Sequence, residues 1–251
     1  MALLRPLTIF IGLLFLWQIV VWLTNSPPYI LPSPDLVAKA LISRAEIIFG
    51  HVGTTVAEII LGLLFGTVLG SLSALIMGYF RPAQRWLMPI LVTSQAIPVF
   101  ALAPVLAIWF GYGMASKVAM ATLIIYFPVT AAFYDGLRQT ETGYLDLART
   151  MNATRWAILR HIRIPAALPS FASGLRVATA VAPIGAIVGE WVGSSSGLGY
   201  LMMHANGRMQ IDVMFAALFV LTVIAVALYF AVDAALKRAL VWLPETQPSN
   251  D

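Results

Sequence analysis

Residues 135–165 read DGLRQTETGYLDLARTMNATRWAILRHIRIP and form the longest polar run of the sequence. Apolar blocks flank this run, since 60% of the 251 residues are hydrophobic and only 10% are charged. A soluble domain has about 45–50% apolar and about 25% charged residues. The composition therefore predicts an all-α polytopic membrane protein in which residues 135–165 face the solvent.

The rest of the sequence divides into six apolar stretches, each long enough to cross a bilayer or nearly so. We interpret the first, residues 7–23, as a span and not as a signal peptide, because no small-residue cleavage site closes it. Residues 29–50 have the helical spacing of an amphipathic helix on the membrane surface. The other five stretches are residues 54–79, a proline-containing run from 88 to 113, and residues 118–132, 174–192 and 213–232. Six spans leave no room for a separate catalytic domain, so we expect a single transmembrane domain over residues 1–251.

Small residues recur at every fourth position of the second predicted span. One face of this helix therefore has almost no side chains, and another helix can approach it closely. We predict tight helix packing at these positions, not transport chemistry. The residues are Gly62, Gly66, Gly70, Ala74 and Gly78.

The third stretch contains Pro89, Pro98 and Pro104, each of which removes a backbone hydrogen bond. Membranes tolerate such breaks where protein or a water-filled cavity satisfies the freed groups. Ser94 and Gln95 lie just before Pro98, so we predict that they line a solute pathway. A bent helix that contacts no solute is the alternative.

The positions of lysine and arginine predict the orientation. With the N-terminus in the cytoplasm, eleven of the fifteen lie inside and four outside, as the positive-inside rule requires for six spans with both termini cytoplasmic. Residues 135–165 are then cytoplasmic, and the net charge of +4 needs no nucleic-acid partner. The four outside are Lys39, Arg44, Lys117 and Arg208.

Two short helices joined by a sharp turn are predicted within residues 135–165. Asn152 lies at the joint and tolerates the left-handed conformation that ends a helix. Thr154 can cap the second helix. Pro165 and Pro169 are expected to stop that helix before the fifth span.

The spacing of this segment resembles the cytoplasmic signature of ABC importer permeases, which is Glu-Ala-Ala, three residues, Gly, nine residues and Ile-x-Leu-Pro. Four of the matching residues differ in type, and Leu147 in place of alanine adds bulk at the expected contact surface. The matching residues in chain order are Asp146, Leu147, Ala148, Asn152, Ile162, Ile164 and Pro165.

Further fragments, at residues 97–117, 165–176 and 197–200, resemble the permease group that includes aliphatic sulfonate, taurine and nitrate importers. Residues 95–101 and 202–208 are similar to permeases for pyrimidine precursors of thiamine. The resemblance implies an importer of a small polar or planar solute such as hydroxymethylpyrimidine, or alternatively of a sulfonate, taurine or nitrate. An ion-coupled secondary transporter is the alternative class.

The resemblance also implies a type I ABC importer fold in a bacterial inner membrane, with a permease core at residues 53–240 and a coupling segment at residues 138–167. No phosphate-binding loop occurs in the sequence, so we expect no bound cofactor and no enzymatic activity, and a separate ATPase that uses ATP and magnesium. The implied partners are two ATPase subunits, a periplasmic or lipid-anchored substrate-binding protein, a second permease copy in a homodimer, and membrane lipid. The implied coupling residues are Leu145, Asp146, Leu147, Ala148, Met151, Asn152, Ala153, Thr154, Trp156 and Leu159.

Polar and aromatic residues of the spans are the candidates for the solute pathway. Phe100 and Tyr126 could stack on a planar ring, whereas Glu190 and Glu58 could be either functional or structural carboxylates. No metal site is expected, because the sequence has no cysteine and its three histidines lie in different regions. The pathway candidates are Ser94, Gln95, Phe100, Tyr126, Thr179 and Glu190.

Overall fold

The computed structural model describes residues 4–242, and every regular element in this range is helical, as the composition predicted. A π-helical turn, Leu159–Arg163, joins the eighth and ninth helices. The helices are α1 (Leu4–Thr24), α2 (Pro34–Ser43), α3 (Ala45–Tyr79), α4 (Arg81–Ala96), α5 (Val99–Phe110), α6 (Met114–Arg138), α7 (Thr142–Thr150), α8 (Arg155–Ile158), α9 (Ile164–Trp191), α10 (Leu198–Gly207) and α11 (Ile211–Ala239).

Four helical segments of the described chain are long and apolar enough to cross a membrane: α3, α6, the continuous segment Arg155–Trp191 and α11. Helices α4 and α5 pass the same test only as a pair and are bent by 105° at their junction. Their break follows from Pro98, which pushes Ile97 into an extended conformation and ends α4. Helix α1 has 21 residues, or about 31 Å of helix, and corresponds to the first predicted span.

The small-residue face of α3 packs against α6. A Cβ added at Gly66 would lie 2.6 Å from the Ile125 side chain, and one at Gly78 would lie 3.0 Å from Leu137. Gly62 faces Ala121, so residue numbers rise in the same direction along α3 and along the face of α6 that it contacts. The two helices therefore run parallel, and the chain between them must return from one end of the bundle to the other.

Helix α9 packs on α6 in the opposite direction. A Cβ added at Gly174 would lie 2.7 Å from the carbonyl oxygen of Pro128, and one at Gly185 would lie 2.6 Å from the Cα of Ala121. Helix α6 is therefore held between α3 and α9, with backbones close enough that any added methyl group would displace a helix.

Helices α1, α2 and α11 cover one side of this three-helix core. The ring centroids of Trp17 and Phe215 are 5.5 Å apart, and those of Phe10 and Phe219 are 6.4 Å apart, so α1 runs antiparallel to α11. Arg176 on α9 donates to Asp233 on α11 at 2.7 Å and ties α11 to the core.

The prediction that Pro165 and Pro169 stop the second short helix is wrong. Pro165 lies in the first turn of α9, where a missing N–H costs little, and Pro169 is accommodated inside the helix. The π-helical turn Leu159–Arg163 carries the helical path from α8 into α9. The segment Arg155–Trp191 is one continuous helical rod.

Two other expectations need correction. The surface amphipathic helix ends at Ser43, and α3 begins at Ala45, so the second span extends nine residues before the predicted start at residue 54. The segment between the predicted fifth and sixth spans, residues 193–212, contains an unpredicted helix, α10, which begins at Leu198.

Candidate functional site

The connecting segment between α6 and α9 is a pair of short helices with a defined turn. Asn152 has a φ of +56°, in the left-handed region that ends a helix, and the N–H of Ala153 donates to the carbonyl of Ala148 at 2.9 Å. The Thr154 hydroxyl oxygen accepts the N–H of Ala157 at 3.2 Å and caps α8. Backbone hydrogen bonds and one cap thus fix the angle between α7 and α8.

One face of this pair is buried against the chain's own helices. Leu145, Ala148 and Leu159 are each less than 9% exposed. Leu159 belongs to a core cluster that includes Met77 of α3 and Leu137 of α6. These three of the ten predicted coupling residues therefore pack within the chain, and the other seven are not buried.

The opposite face is apolar and exposed. Leu147, Met151 and Trp156 are 59%, 74% and 56% exposed, and Tyr144 is equally accessible. We call these four residues the apolar strip. It lies on α7 and at the first turn of the segment Arg155–Trp191, and exposed apolar patches on such surfaces mark protein contact sites.

The remaining predicted coupling residues surround the apolar strip. Asp146 forms a 2.7 Å ion pair with Arg149 on the surface. Asn152 and Thr154 are exposed, and Ala153 is half-buried. The strip therefore has a polar rim, as protein interfaces usually do.

At the other end of the bundle, Glu190 is buried and holds the α9–α10 loop. Its carboxylate accepts the Thr55 hydroxyl at 2.6 Å and the N–H groups of Gly199 and Tyr200. Thr55 in turn accepts the N–H of Leu198 at 2.8 Å. This carboxylate is satisfied by the protein itself, so its geometry fits the structural role.

A buried ion pair extends this network. Lys117 of α6 lies 3.0 Å from Glu58 of α3, and both side chains are almost fully buried. The N–H of Gly197 donates to His51 at 3.1 Å. Gly197 has a φ of +111°, and a Cβ there would collide with the Glu190 carboxylate, so only glycine fits.

The structure divides the six pathway candidates into two sets. Gln95 and Phe100 are exposed on either side of the α4–α5 bend, and Ser94 is half-buried beside them. Phe100 lies 6.0 Å from the ring of Trp191. The other three are engaged within the chain.

Those three make hydrogen bonds to groups of their own protomer. Tyr126 donates to the Ser73 hydroxyl at 2.8 Å, and Thr179 donates to the Leu175 carbonyl at 2.7 Å. Thr179 and Glu190 are also fully buried. Ser94 also donates to a backbone carbonyl, that of Leu91 at 2.7 Å. Among the six candidates, contact with solute is therefore better supported for Gln95 and Phe100 than for the other four.

Sequence reasoning missed three members of the buried network: Thr55, His51 and Lys117. Lys117 was counted only as an outside charge. Lys117 lies at the edge of one apolar span and Glu58 at the edge of another. Because intramembrane charges are usually paired, these positions could have predicted the ion pair. No group of three or more possible metal ligands occurs within residues 4–242.

The sequence profile of the family "Binding-protein-dependent transport system inner membrane component" matches residues 66–240. A Haemophilus influenzae protein named "Probable ABC transporter permease protein" is 58% identical over 96% of this chain and 98% of its own length. The "Formylaminopyrimidine transport permease protein ThiX" of Halalkalibacterium halodurans is 38% identical over 95% of this chain and 96% of its own length.

The fold also matches a solved structure. A chain of the MetNI methionine ABC transporter in an inward-facing conformation superposes with a TM-score of 0.67. The match covers 78% of this chain and 97% of the other at 21% identity, so it supports the fold alone.

Proposed function

The chain belongs to the family of binding-protein-dependent transport system inner membrane components, the non-enzymatic permease subunits of ABC importers, and from this premise we propose how it couples to its ATPase. The single observation that carries the proposal is the continuous helix from Arg155 to Trp191. One end of this helix carries part of the apolar strip, and the other end adjoins the Glu190 network. Force applied to the strip would therefore move a whole span.

The proposed topology has six crossings with both termini in the cytoplasm. The parallel arrangement of α3 and α6 supports it, because the α4–α5 pair must then cross the bilayer as one broken span. The antiparallel packing of α1 on α11 supports an N-terminus at the same end as the connecting segment. The charge distribution makes that end cytoplasmic.

In the proposed mechanism, the apolar strip docks in a cleft of an ATPase subunit that binds ATP and magnesium. Closure of two such subunits would move α7 and α8 of two permease copies together. Because α8 is continuous with α9, the movement would reach the outer end of the span and switch access to the pathway. A substrate-binding protein would deliver the solute at that outer end of a complex in a bacterial inner membrane.

The docking step is tested by replacing Leu147 with arginine. We expect Leu147→Arg to abolish co-purification of the ATPase, because a charge replaces an apolar contact at the centre of the strip. Ile42→Arg, at a more exposed aliphatic position on α2 at the other end, is the control and should leave co-purification unchanged. Retention of the ATPase by Leu147→Arg would overturn the docking surface.

We propose that Ser94, Gln95 and Phe100 line the pathway at the α4–α5 bend, and that the solute is a planar pyrimidine. The ThiX relative's name supports a pyrimidine, and Phe100 offers an exposed ring for stacking. Uptake of labelled hydroxymethylpyrimidine into proteoliposomes containing the complete transporter should require ATP and a substrate-binding protein. Competition by a sulfonate, taurine or nitrate instead would reassign the solute, and uptake driven by an ion gradient alone would overturn the importer mechanism.

A further inference from the structure

A polar cavity of about 750 Å³ lies between the inner face of the connecting segment and the ends of three spanning helices. The ends of α3 and α6 and the beginning of α4 form one side, and the buried faces of α7 and α8 form the other. Four arginines line it, and no aspartate or glutamate is among its lining residues. The four are Arg138, Arg149, Arg155 and Arg163.

Three of these arginines have no ion-pair partner within the described part of the chain. Arg149 pairs with Asp146, whereas Arg138 only lies over the ring of Tyr134 at 5.7 Å. Arg163 makes one long contact, 3.4 Å, with the carbonyl of Gly78, and its Nε is buried without a hydrogen-bond partner. Cationic groups gathered around one cavity repel each other unless an anion joins them, and an unsatisfied buried donor is costly.

We propose that this cavity binds the phosphate group of an anionic phospholipid from the adjacent leaflet. Guanidinium groups bind phosphate oxygens through paired hydrogen bonds. Arg138 comes from α6, whereas Arg155 and Arg163 come from the continuous segment Arg155–Trp191, and all three line one volume. The cavity lies where α3 and α6 end, which is the level of lipid headgroups. Basic pockets between spanning helices at this level are a recurring form of headgroup recognition.

The rim of the cavity suits a lipid better than a soluble anion. Tyr79, Phe80 and Pro82 line its edge, and Phe80 is exposed. They offer aromatic and apolar surface where the glycerol and the first acyl carbons of a lipid would lie. A phosphate alone would use the arginines but not this rim.

An ATPase carboxylate is the competing occupant, and the geometry of α7 disfavours it. Leu145 lines the cavity and Leu147 belongs to the apolar strip. Two positions two residues apart on a helix are separated by about 200° around its axis, so these side chains point to opposite faces. An ATPase that docks on the α7 part of the strip would therefore approach from the side away from the cavity. Only Trp156 of the strip adjoins the cavity edge, with its ring 6.2 Å from that of Tyr79.

A lipid held here would join the ends of α3 and α6 to the inner face of α7 and α8. The connecting segment would then be most rigid in membranes rich in anionic lipid. This inference depends on the membrane position of the chain and on neither the solute nor the ATPase cleft, so its test can fail independently of the proposed function.

The test uses native mass spectrometry of the full-length permease in detergent. It compares the amount of phosphatidylglycerol that stays bound with the amount of phosphatidylcholine that stays bound. The double variant Arg138→Gln and Arg155→Gln removes two exposed cavity arginines whose loss should not affect folding. We expect about 30-fold weaker binding of phosphatidylglycerol. The matched control is Arg85→Gln with Arg160→Gln, two exposed arginines outside the cavity lining, which should bind as the unmodified chain does.

Arg163→Gln should weaken binding as well, and Arg163→Lys should restore part of it, since a cation remains. Equal retention of phosphatidylglycerol by the cavity variant and the control variant would overturn the site. Glycerol 3-phosphate tests a soluble phosphate as the ligand. If it raised the thermal stability of the permease as much as phosphatidylglycerol does, the cavity would be a site for a soluble phosphate and the lipid proposal would be wrong. Displacement of the lipid by the bound ATPase would overturn it in favour of the protein partner.

Discussion

At the scale of single residues, Glu190 shows how a carboxylate can be kept inside a membrane bundle. Its two oxygens accept a hydroxyl and two backbone N–H groups, so the buried carboxyl group is satisfied by hydrogen bonds without a cation in direct contact. We expect Glu190→Gln to lower the free energy of unfolding by about 2 kcal/mol, because the amide nitrogen must face a donor. Thermal unfolding of the detergent-purified chain measures this loss.

Glu46→Gln is the control for this prediction, since Glu46 is exposed at the beginning of α3. Its free energy of unfolding should change by less than about 0.5 kcal/mol. If Glu190→Gln were as stable as the original chain and yet transported no solute, Glu190 would be a pathway residue and the structural assignment would be wrong. Sequence could not decide between these roles, because Thr55 lies 135 residues away along the chain.

At the scale of elements, local sequence rules worked where the determining contact was local. The break between α4 and α5 occurs beside Pro98, whose effect on the preceding residue needs no tertiary partner. The same rules gave a wrong prediction at Pro165 and Pro169. Pro165 lies in the first turn of α9, and a π-helical turn precedes both prolines. The path of a helix through such a turn depends on packing around it, which one sequence does not reveal.

The close approach of α6 and α9 gives a prediction for helix packing. We expect Gly185→Ala to destabilise the chain by about 1–3 kcal/mol, because the new methyl group would lie 2.6 Å from the backbone Cα of Ala121. A backbone atom can yield only if the whole of α6 shifts. The midpoint of thermal unfolding in detergent measures the effect.

Gly53→Ala is the matched control, since Gly53 is also helical and has no atom within 4 Å of an added Cβ. It should leave the midpoint unchanged or raise it slightly, because alanine favours helix over glycine. Equal midpoints for Gly185→Ala and Gly53→Ala would mean that α6 and α9 can separate without cost.

At the scale of the whole molecule, composition predicted the helical class, and the family match extends over residues 66–240. The relative directions of the spans came only from the structure, through the pairing of Gly62 with Ala121 and of Gly78 with Leu137. That parallel pairing requires the chain between α3 and α6 to return from one end of the bundle to the other, which is consistent with α4 and α5 as one crossing. Hydropathy alone cannot distinguish such a crossing from a re-entrant loop, because both contain two short apolar helices.

The sequence contains no cysteine, so single introduced cysteines report the topology without background labelling. Ser43→Cys on α2 and Tyr112→Cys after α5 should react with a membrane-impermeant maleimide in intact spheroplasts. Thr150→Cys on α7 should react only after permeabilisation. All three positions are exposed, so protection reports the membrane and not burial within the chain. Labelling of Ser43→Cys and Thr150→Cys in intact spheroplasts, with protection of Tyr112→Cys, would make α4 and α5 a re-entrant loop. A fully reversed pattern would place the connecting segment outside, beyond the reach of any ATPase.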